Sequence, residues 1–463
     1  MLGISVRTCV HGFYLSFPEF NSIATIDFPN ESSATGSSFS DSVLSASLFK
    51  PLLFLSIVLS ILMNPAHIFP DGSTMEVGLD WQVMIKLLVS GFASVMGLWG
   101  LMELPQARRA VMSLPAMAIL TILVFALPAS LTGSSMSSLP ATLINIAYVA
   151  VIASAIVSLG WQQILVAVLV GVGAASIGSW LMYFFIPSYG IYPEFLGNVT
   201  VERLGGMSHP NMVGRSAGVG ILISFGLWRN RKITLMLFGV LLAMFAVTLI
   251  YSVSRTAMIA TFIGLITMHL QQFKTRDGLR VIAAGLFFLL VGVIALGMTG
   301  KEATVLEKFG SSVSKTGDSR ELTTGTGRSE IWLASIDLIK ESPVTGYGFG
   351  AAQELLEDHS QSTHNIVLNA ALISGVVGGI IMFGLYILLF FIAVNSRIPA
   401  IATLAVFLMV SGLVEDTVLE TFPAAGTMMW ILCCLLPIRE QPSDETTDTG
   451  AQSSENFGQP EFQ

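Results

Sequence analysis

The sequence predicts an all-α polytopic membrane protein of about 12 transmembrane helices, with one long extracytoplasmic loop that carries an interfacial helix. Three observations predict it. Of 463 residues, 53% are hydrophobic and only 11% are charged, where a soluble domain carries roughly a quarter. Apolar runs of about 20 residues recur along the chain, the length that crosses a bilayer core with each backbone group bonded inside a helix. The basic residues of the short loops fall only in alternate loops, and so on one side of the membrane. The low charge excludes a cytosolic enzyme, a disordered chain and a nucleic-acid binder. A net charge of −8 offers a polyanion nothing to hold. Cys9 stands alone and Cys433 and Cys434 are neighbours in an apolar run, so neither a metal nor a disulfide framework follows.

Residues 1–48 are Ser-rich, lack the basic-then-apolar pattern of a signal peptide, and read as a flexible tail. Residues 49–298 hold the first nine spans, at 51–69, 82–102, 113–132, 140–159, 161–186, 209–228, 233–252, 254–271 and 279–298. Residues 299–364 form the long loop, and 365–437 hold the last three spans, at 365–393, 398–414 and 419–437. Residues 438–463 read as a disordered acidic tail on the cytoplasmic side. Arg108 and Arg109, Arg229, Arg231 and Lys232, Lys274, Arg276 and Arg280, Arg397 and Arg439 all fall on one side of this arrangement. By the positive-inside rule that side, with both termini, is cytoplasmic. The opposite short loops are acidic or neutral, as with Asp71, Glu76 and Asp80, or Glu415 and Asp416.

Within the long loop, Gly327 to Lys340 places Ile331, Trp332, Leu333, Ile336, Leu338 and Ile339 broadly on one helical face. That is the pattern of a helix lying in the membrane interface. Pro343 ends it, and Gly346, Gly348 and Gly350 allow the chain to turn sharply.

Outer-face charge is sparse, so each basic residue is informative. Arg203 precedes the sixth span, Arg215 lies one turn inside it, Arg255 occupies the turn between the seventh and eighth spans, and Arg328 starts the interfacial helix. A charge near a bilayer costs several kcal/mol unless paired or hydrated. Snorkelling to lipid phosphates is the other reading of these arginines. A guanidinium suits a pyrophosphate, because its planar fork holds two oxygens and it stays protonated. His364 lies at the outer mouth of the tenth span, where an imidazole can take a proton from a hydroxyl near neutral pH. It also fits a polar helix start, and Thr363 or Asn365 could cap there instead. His209, beside Pro210 and Asn211 at the start of the sixth span, is either structural or a substrate contact. His359 lies near His364, with Asp358 placed to orient either ring. The chain has no phosphate loop and no His-Glu-x-x-His or outer Asp-x-Asp cluster, so neither ATP-driven transport nor a metal is expected.

The second half of the chain resembles the O-antigen ligase and polysaccharide polymerase family of bacterial envelope glycosyltransferases. The resemblance rests on SRTAMIATFIGL (Ser254 to Leu265), GRSEIWLASIDLIKESPVTGYGFG (Gly327 to Gly350) and HNIVLNAALISGVVGGIIMF (His364 to Phe383). Upstream, RLGGMSHPNMVG (Arg203 to Gly214) is similar to an Arg and His-Pro-Asn segment of many members. The resemblance implies a multi-pass protein of the bacterial inner membrane whose site faces the periplasm or exterior. It implies a polyprenyl-pyrophosphate-linked glycan donor, a glycan or lipid-glycan acceptor and membrane lipids as partners, with no cofactor, no metal and inversion at the anomeric carbon. His364 is then the expected base, Arg255 and Arg328 the pyrophosphate ligands, and Arg203, Arg215, His209 and Asn365 further substrate contacts. Ligase and polymerase differ only in the acceptor. The other class that suits twelve spans is a secondary transporter or a flippase for lipid-linked glycan, but carriers place charge at the bilayer midplane and repeat one half in the other.

Overall fold

The computed structural model describes residues 39–63, 81–132, 138–196, 199–270, 328–357, 360, 362–396 and 398–436. The expected ninth span, most of the long loop, His359 with Asp358, and both tails lie outside the described residues. By its contacts the chain divides into Met1–Ser47, where only the opening of the first helix is described, and Leu48–Gln463, which holds all that follows.

Each other expected span has a helix at its place. They are α1 Phe39–Leu62, α2 Trp81–Glu103, α4 Leu114–Thr132, α5 Ser138–Ser158, α6 Trp161–Phe185, α8 Pro210–Arg229, α9 Leu235–Tyr251 and α10 Arg255–Leu270. In the second half they are α13 Ile366–Asn395, α14 Pro399–Gly412 and α15 Ala425–Leu435. Short helices α3 Pro105–Val111, α7 Pro187–Gly190, α11 Arg328–Glu341 and α12 Ala351–Leu355 lie between them. Five helices, α2, α4, α5, α6 and α13, are long and apolar enough to cross a membrane by themselves. The chain is a predominantly helical membrane protein.

The sequence reading of an all-α chain misses one element. After α7, β1 Ile191–Leu196 and β2 Val199–Leu204 pair antiparallel, with Tyr192 opposite Arg203 and Glu194 opposite Val201. Val199, Thr200 and Val201 suit a strand, and Pro193 is tolerated because a two-stranded ribbon has only edges.

Helix ends follow from local chemistry. Thr234 caps α9 by accepting from the Leu237 amide, and Pro399 opens α14 where its missing N–H is no loss. Arg229 Nη1 donates to Met268 O near the end of α10 at 3.0 Å, which satisfies an orphan carbonyl. Small residues let the helices meet closely: a Cβ on Gly100 of α2 would lie 2.2 Å from Ser154 Oγ of α5. Around α5, α14 and α15 the core closes over fully buried Tyr148, Phe407 and Trp430.

α13 is broken inside. Ser374 and Gly375 leave helical geometry, and Gly375 has φ +75°. The break frees backbone groups that a bilayer would not solvate, and the segment after α11 bonds them. Tyr347 N donates to Leu372 O at 2.8 Å, Gly348 N to Ile373 O at 2.9 Å, and Val376 N to Pro343 O at 2.8 Å. The approach is so close that a Cβ on Gly346 would sit 2.6 Å from the carbonyl carbon of Ile373. The glycines expected to turn the chain do so, with φ of +62°, +82° and +77° at Gly346, Gly348 and Gly350. α11 divides its apolar residues between two faces. Ile331 and Ile339 pack with Leu356, Ala371 and Leu372, whereas Leu333 is 63% exposed. The helix bearing Arg328 is thereby docked against the helix that His364 precedes.

Candidate active site

Glu415, in the link between α14 and α15, is the point where distant segments meet. Its side chain is only 5% exposed. Oε1 accepts from Arg328 Nη2 at 2.9 Å and from Asn211 Nδ2 at 3.3 Å. Oε2 lies 3.3 Å from His364 Nδ1. These partners stand 87, 204 and 51 positions away along the chain. Burial alone would push the Glu415 carboxyl up, but the His364 hydrogen bond and the Arg215 and Arg328 guanidiniums outweigh it and hold the group at about 2.

An ionised carboxylate only accepts, so the Nδ1 facing it carries a proton and donates. In the neutral ring Nε2 is then the acceptor. Nε2 lies 3.1 Å from Ser360 Oγ, so a hydroxyl already occupies the place of a group that could yield a proton to this nitrogen. His364 has φ +50°, a conformation uncommon for a side-chain-bearing residue and stored mainly where the surroundings enforce it. Its neighbour Asn365 is the N-cap of α13. Its side chain accepts from the Val367 and Leu368 amides, and its Nδ2 donates to Leu413 O at 3.1 Å. Of the two caps the sequence left open, Asn365 is the one that binds the helix amides, and its amide is engaged at both ends.

The remaining arginines divide. Arg203 is 3% exposed and acts as a clamp: Nε donates to Ser252 O at 2.8 Å, Nη1 to Glu194 Oε2 at 3.1 Å, and Nη2 to Asn211 Oδ1 at 2.6 Å. It thus fastens the hairpin, the turn before α10 and the start of α8 together, and through Asn211 it reaches Glu415. Arg215 donates from Nη1 to Asp416 O at 3.3 Å and pairs through Nη2 with Glu420 Oε1 at 3.5 Å. Arg255 is half-buried at the first position of α10, directly after the Ser252–Ser254 turn that Arg203 holds. His209 caps α8, its Nδ1 accepting from the Asn211 amide at 3.3 Å, and its ring meets Tyr192 edge-on with centroids 5.0 Å apart. It positions the turn that carries Asn211.

Sequence reasoning used Glu415 and Asp416 only as topology markers and passed over Glu420, Glu194, Asn211 and Ser360. A signal was present. Residues 398–436 contain three acids, Glu415, Asp416 and Glu420, and no base. Carboxylates in so apolar a stretch must find cations elsewhere in the chain.

Ligand atoms of His364, Glu415 and Asp416 lie within 4.8 Å of one another, a spacing that a cation could bridge. The donor set argues against it. Both Glu415 oxygens are engaged by N–H donors, and one of them already holds the Arg328 guanidinium. A dication there would displace a guanidinium.

Two hollows adjoin this centre. One, of about 340 Å³ with its open mouth, contains Arg215, Thr417 and Glu420. The other, of about 440 Å³, shares Met212, Ser216, Ala424 and Ala425 with it and runs on toward Ile61 and Ala175.

Fold and site together define a polytopic helical membrane protein with a His–carboxylate–guanidinium centre where α8, α11, α13 and the α14–α15 link meet. Residues 240–384 match the family model described as O-antigen ligase, in agreement with the motif resemblance. Arg255, Arg328, His364 and Asn365 lie inside the matched stretch, whereas Arg203, His209, Arg215 and Glu415 lie outside it. No curated protein and no solved structure matches the chain.

Proposed function

We propose that the protein is an inner-membrane glycosyltransferase that moves a glycan from a polyprenyl-pyrophosphate donor to a hydroxyl of a glycan or lipid-glycan acceptor. The reaction is metal-independent and inverting, on the extracytoplasmic face of a twelve-span fold with both termini cytoplasmic. The observation that carries this reading is the single carboxylate of Glu415 shared by the His364 imidazole and the Arg328 guanidinium. A base and a cation one carboxylate apart are what such a transfer needs. The acceptor oxygen bonds to the anomeric carbon while its proton passes to His364 Nε2. The bond from that carbon to the phosphate oxygen breaks, and the electron pair leaves on the diphosphate. Because a diphosphate leaves readily, cationic side chains to receive its charge replace a general acid. Arg328 and Arg255 take that role, Glu415 fixes the imidazole tautomer, and Arg203, Arg215, His209 and Asn365 hold the frame around them.

The test is complementation of a strain lacking the gene. His364→Ala and Arg328→Ala proteins reach the membrane at normal levels, yet product falls about 100-fold or more, the range a positioned general base supplies. Undiminished product from both variants would overturn the reading. In the deletion strain itself, single repeats on the final acceptor indicate a polymerase, whereas full-length chains left on the lipid carrier indicate a ligase.

A further inference from the structure

We infer that the hollow beside Arg215 is a subsite for the hydroxyl-bearing edge of a neutral acceptor sugar, and that Thr417 and Glu420 select it. The inference rests on the transfer reading of the site and adds the chemical class of acceptor to it.

Three observations meet here. Thr417 lines the hollow and is 2% exposed, yet among the described residues its Oγ1 has no hydrogen-bond partner. A buried hydroxyl left unpaired is costly, so a ligand hydroxyl or water that meets it is favoured. Beside it stands the Arg215–Glu420 pair, 13% and 17% exposed, at 3.5 Å. Burial pushes the Glu420 carboxyl up to about 7, so above that pH the pair offers donors and acceptors side by side while carrying no net charge. A sugar hydroxyl both donates and accepts and is matched by such a pair, whereas a carboxylated sugar meets Glu420 and is repelled. The hollow also lies at the right remove from the base. Arg215 donates to the backbone of Asp416, and a carboxylate oxygen of Asp416 lies within 4.8 Å of a His364 ring nitrogen. An acceptor that spans both places presents its attacking hydroxyl to His364 and another hydroxyl to the hollow.

The test uses the full chain in nanodiscs, with saturation-transfer difference NMR of methyl α-D-glucopyranoside as neutral probe and methyl α-D-glucuronide as acidic probe. At pH 8, where Glu420 is ionised, the wild type binds the neutral probe and not the acidic one. Thr417→Val weakens neutral binding about fivefold, the worth of one hydrogen bond, and Thr417→Ser restores it. Glu420→Gln leaves Arg215 uncompensated and so admits the glucuronide. The inference is overturned if the wild type gives no transfer from the neutral probe. It is equally overturned if Thr417→Val binds as the wild type does and Glu420→Gln gains no acidic ligand. The transfer reading is tested apart, by product from His364→Ala in cells, while the subsite is judged on the Thr417 and Glu420 variants, so the two ideas fail separately.

Discussion

Replacing Glu415 by Gln keeps the side chain's shape and removes its charge, and it is the sharpest probe of the centre. In the wild type the two carboxylate oxygens receive Arg328, Asn211 and His364. A Gln amide has one oxygen to offer, so its NH₂ must face either the Arg328 guanidinium or the His364 Nδ1–H. A buried donor is then left unpaired, at about 1–3 kcal/mol, and the imidazole tautomer is no longer imposed. Loss of an orienting carboxylate lowers turnover by about 10² to 10⁴ where the imidazole is the base. The same substitution has a signature in acid. Held at about 2 against an ordinary 4.5, Glu415 contributes roughly 3 kcal/mol to folding at neutral pH. Its folded-state value is depressed, so that stability is complete above about pH 4.5 and drains away as the pH falls toward 2. Product in a complemented deletion strain, and melting of the detergent-solubilised protein between pH 7 and 3, are the two assays. The variant loses product and melts lower at pH 7, and its melting temperature falls less steeply in acid. Wild-type product together with wild-type acid sensitivity would refute the reasoning.

Other substitutions test the frame. Asn365→Ala removes both cap bonds to α13 and the bond to Leu413 O and costs about 1–2 kcal/mol; Asn365→Asp keeps the cap acceptor but turns a carboxylate oxygen toward Leu413 O, so it recovers only part of the melting temperature. Gly375→Ala places a methyl 2.5 Å from Val344 O at a φ of +75°, so the break in α13 cannot form as it stands and little folded protein survives size-exclusion chromatography. Arg203→Lys keeps the charge but cannot reach Ser252, Glu194 and Asn211 together. It should cost about 3 kcal/mol or more in thermal unfolding, as breaking a buried pair does.

The helices were legible in the sequence because the information is local. A run of apolar residues as long as a bilayer is thick has no other way to satisfy its backbone, so α2, α4, α5, α6 and α13 follow from composition and length alone. The glycines at 346, 348 and 350 and the polar helix start at 363–365 were visible for the same reason, each being a short-range demand on backbone geometry. His364, Arg328 and Arg255 stood out because charge and imidazole are rare in such a chain. Their partner did not. Glu415 is one acidic residue of a short loop, and nothing near it in sequence marks it as the group to which His364, Arg328 and Asn211 turn. Nor does a local pattern reveal that Gly346 and Gly348 feed the broken turn of α13, or that Arg203 is spent as a clamp. A buried charge requires a counter-charge and a broken helix requires donors, but neither requirement names a sequence position. Only the packing of helices remote along the chain supplies it.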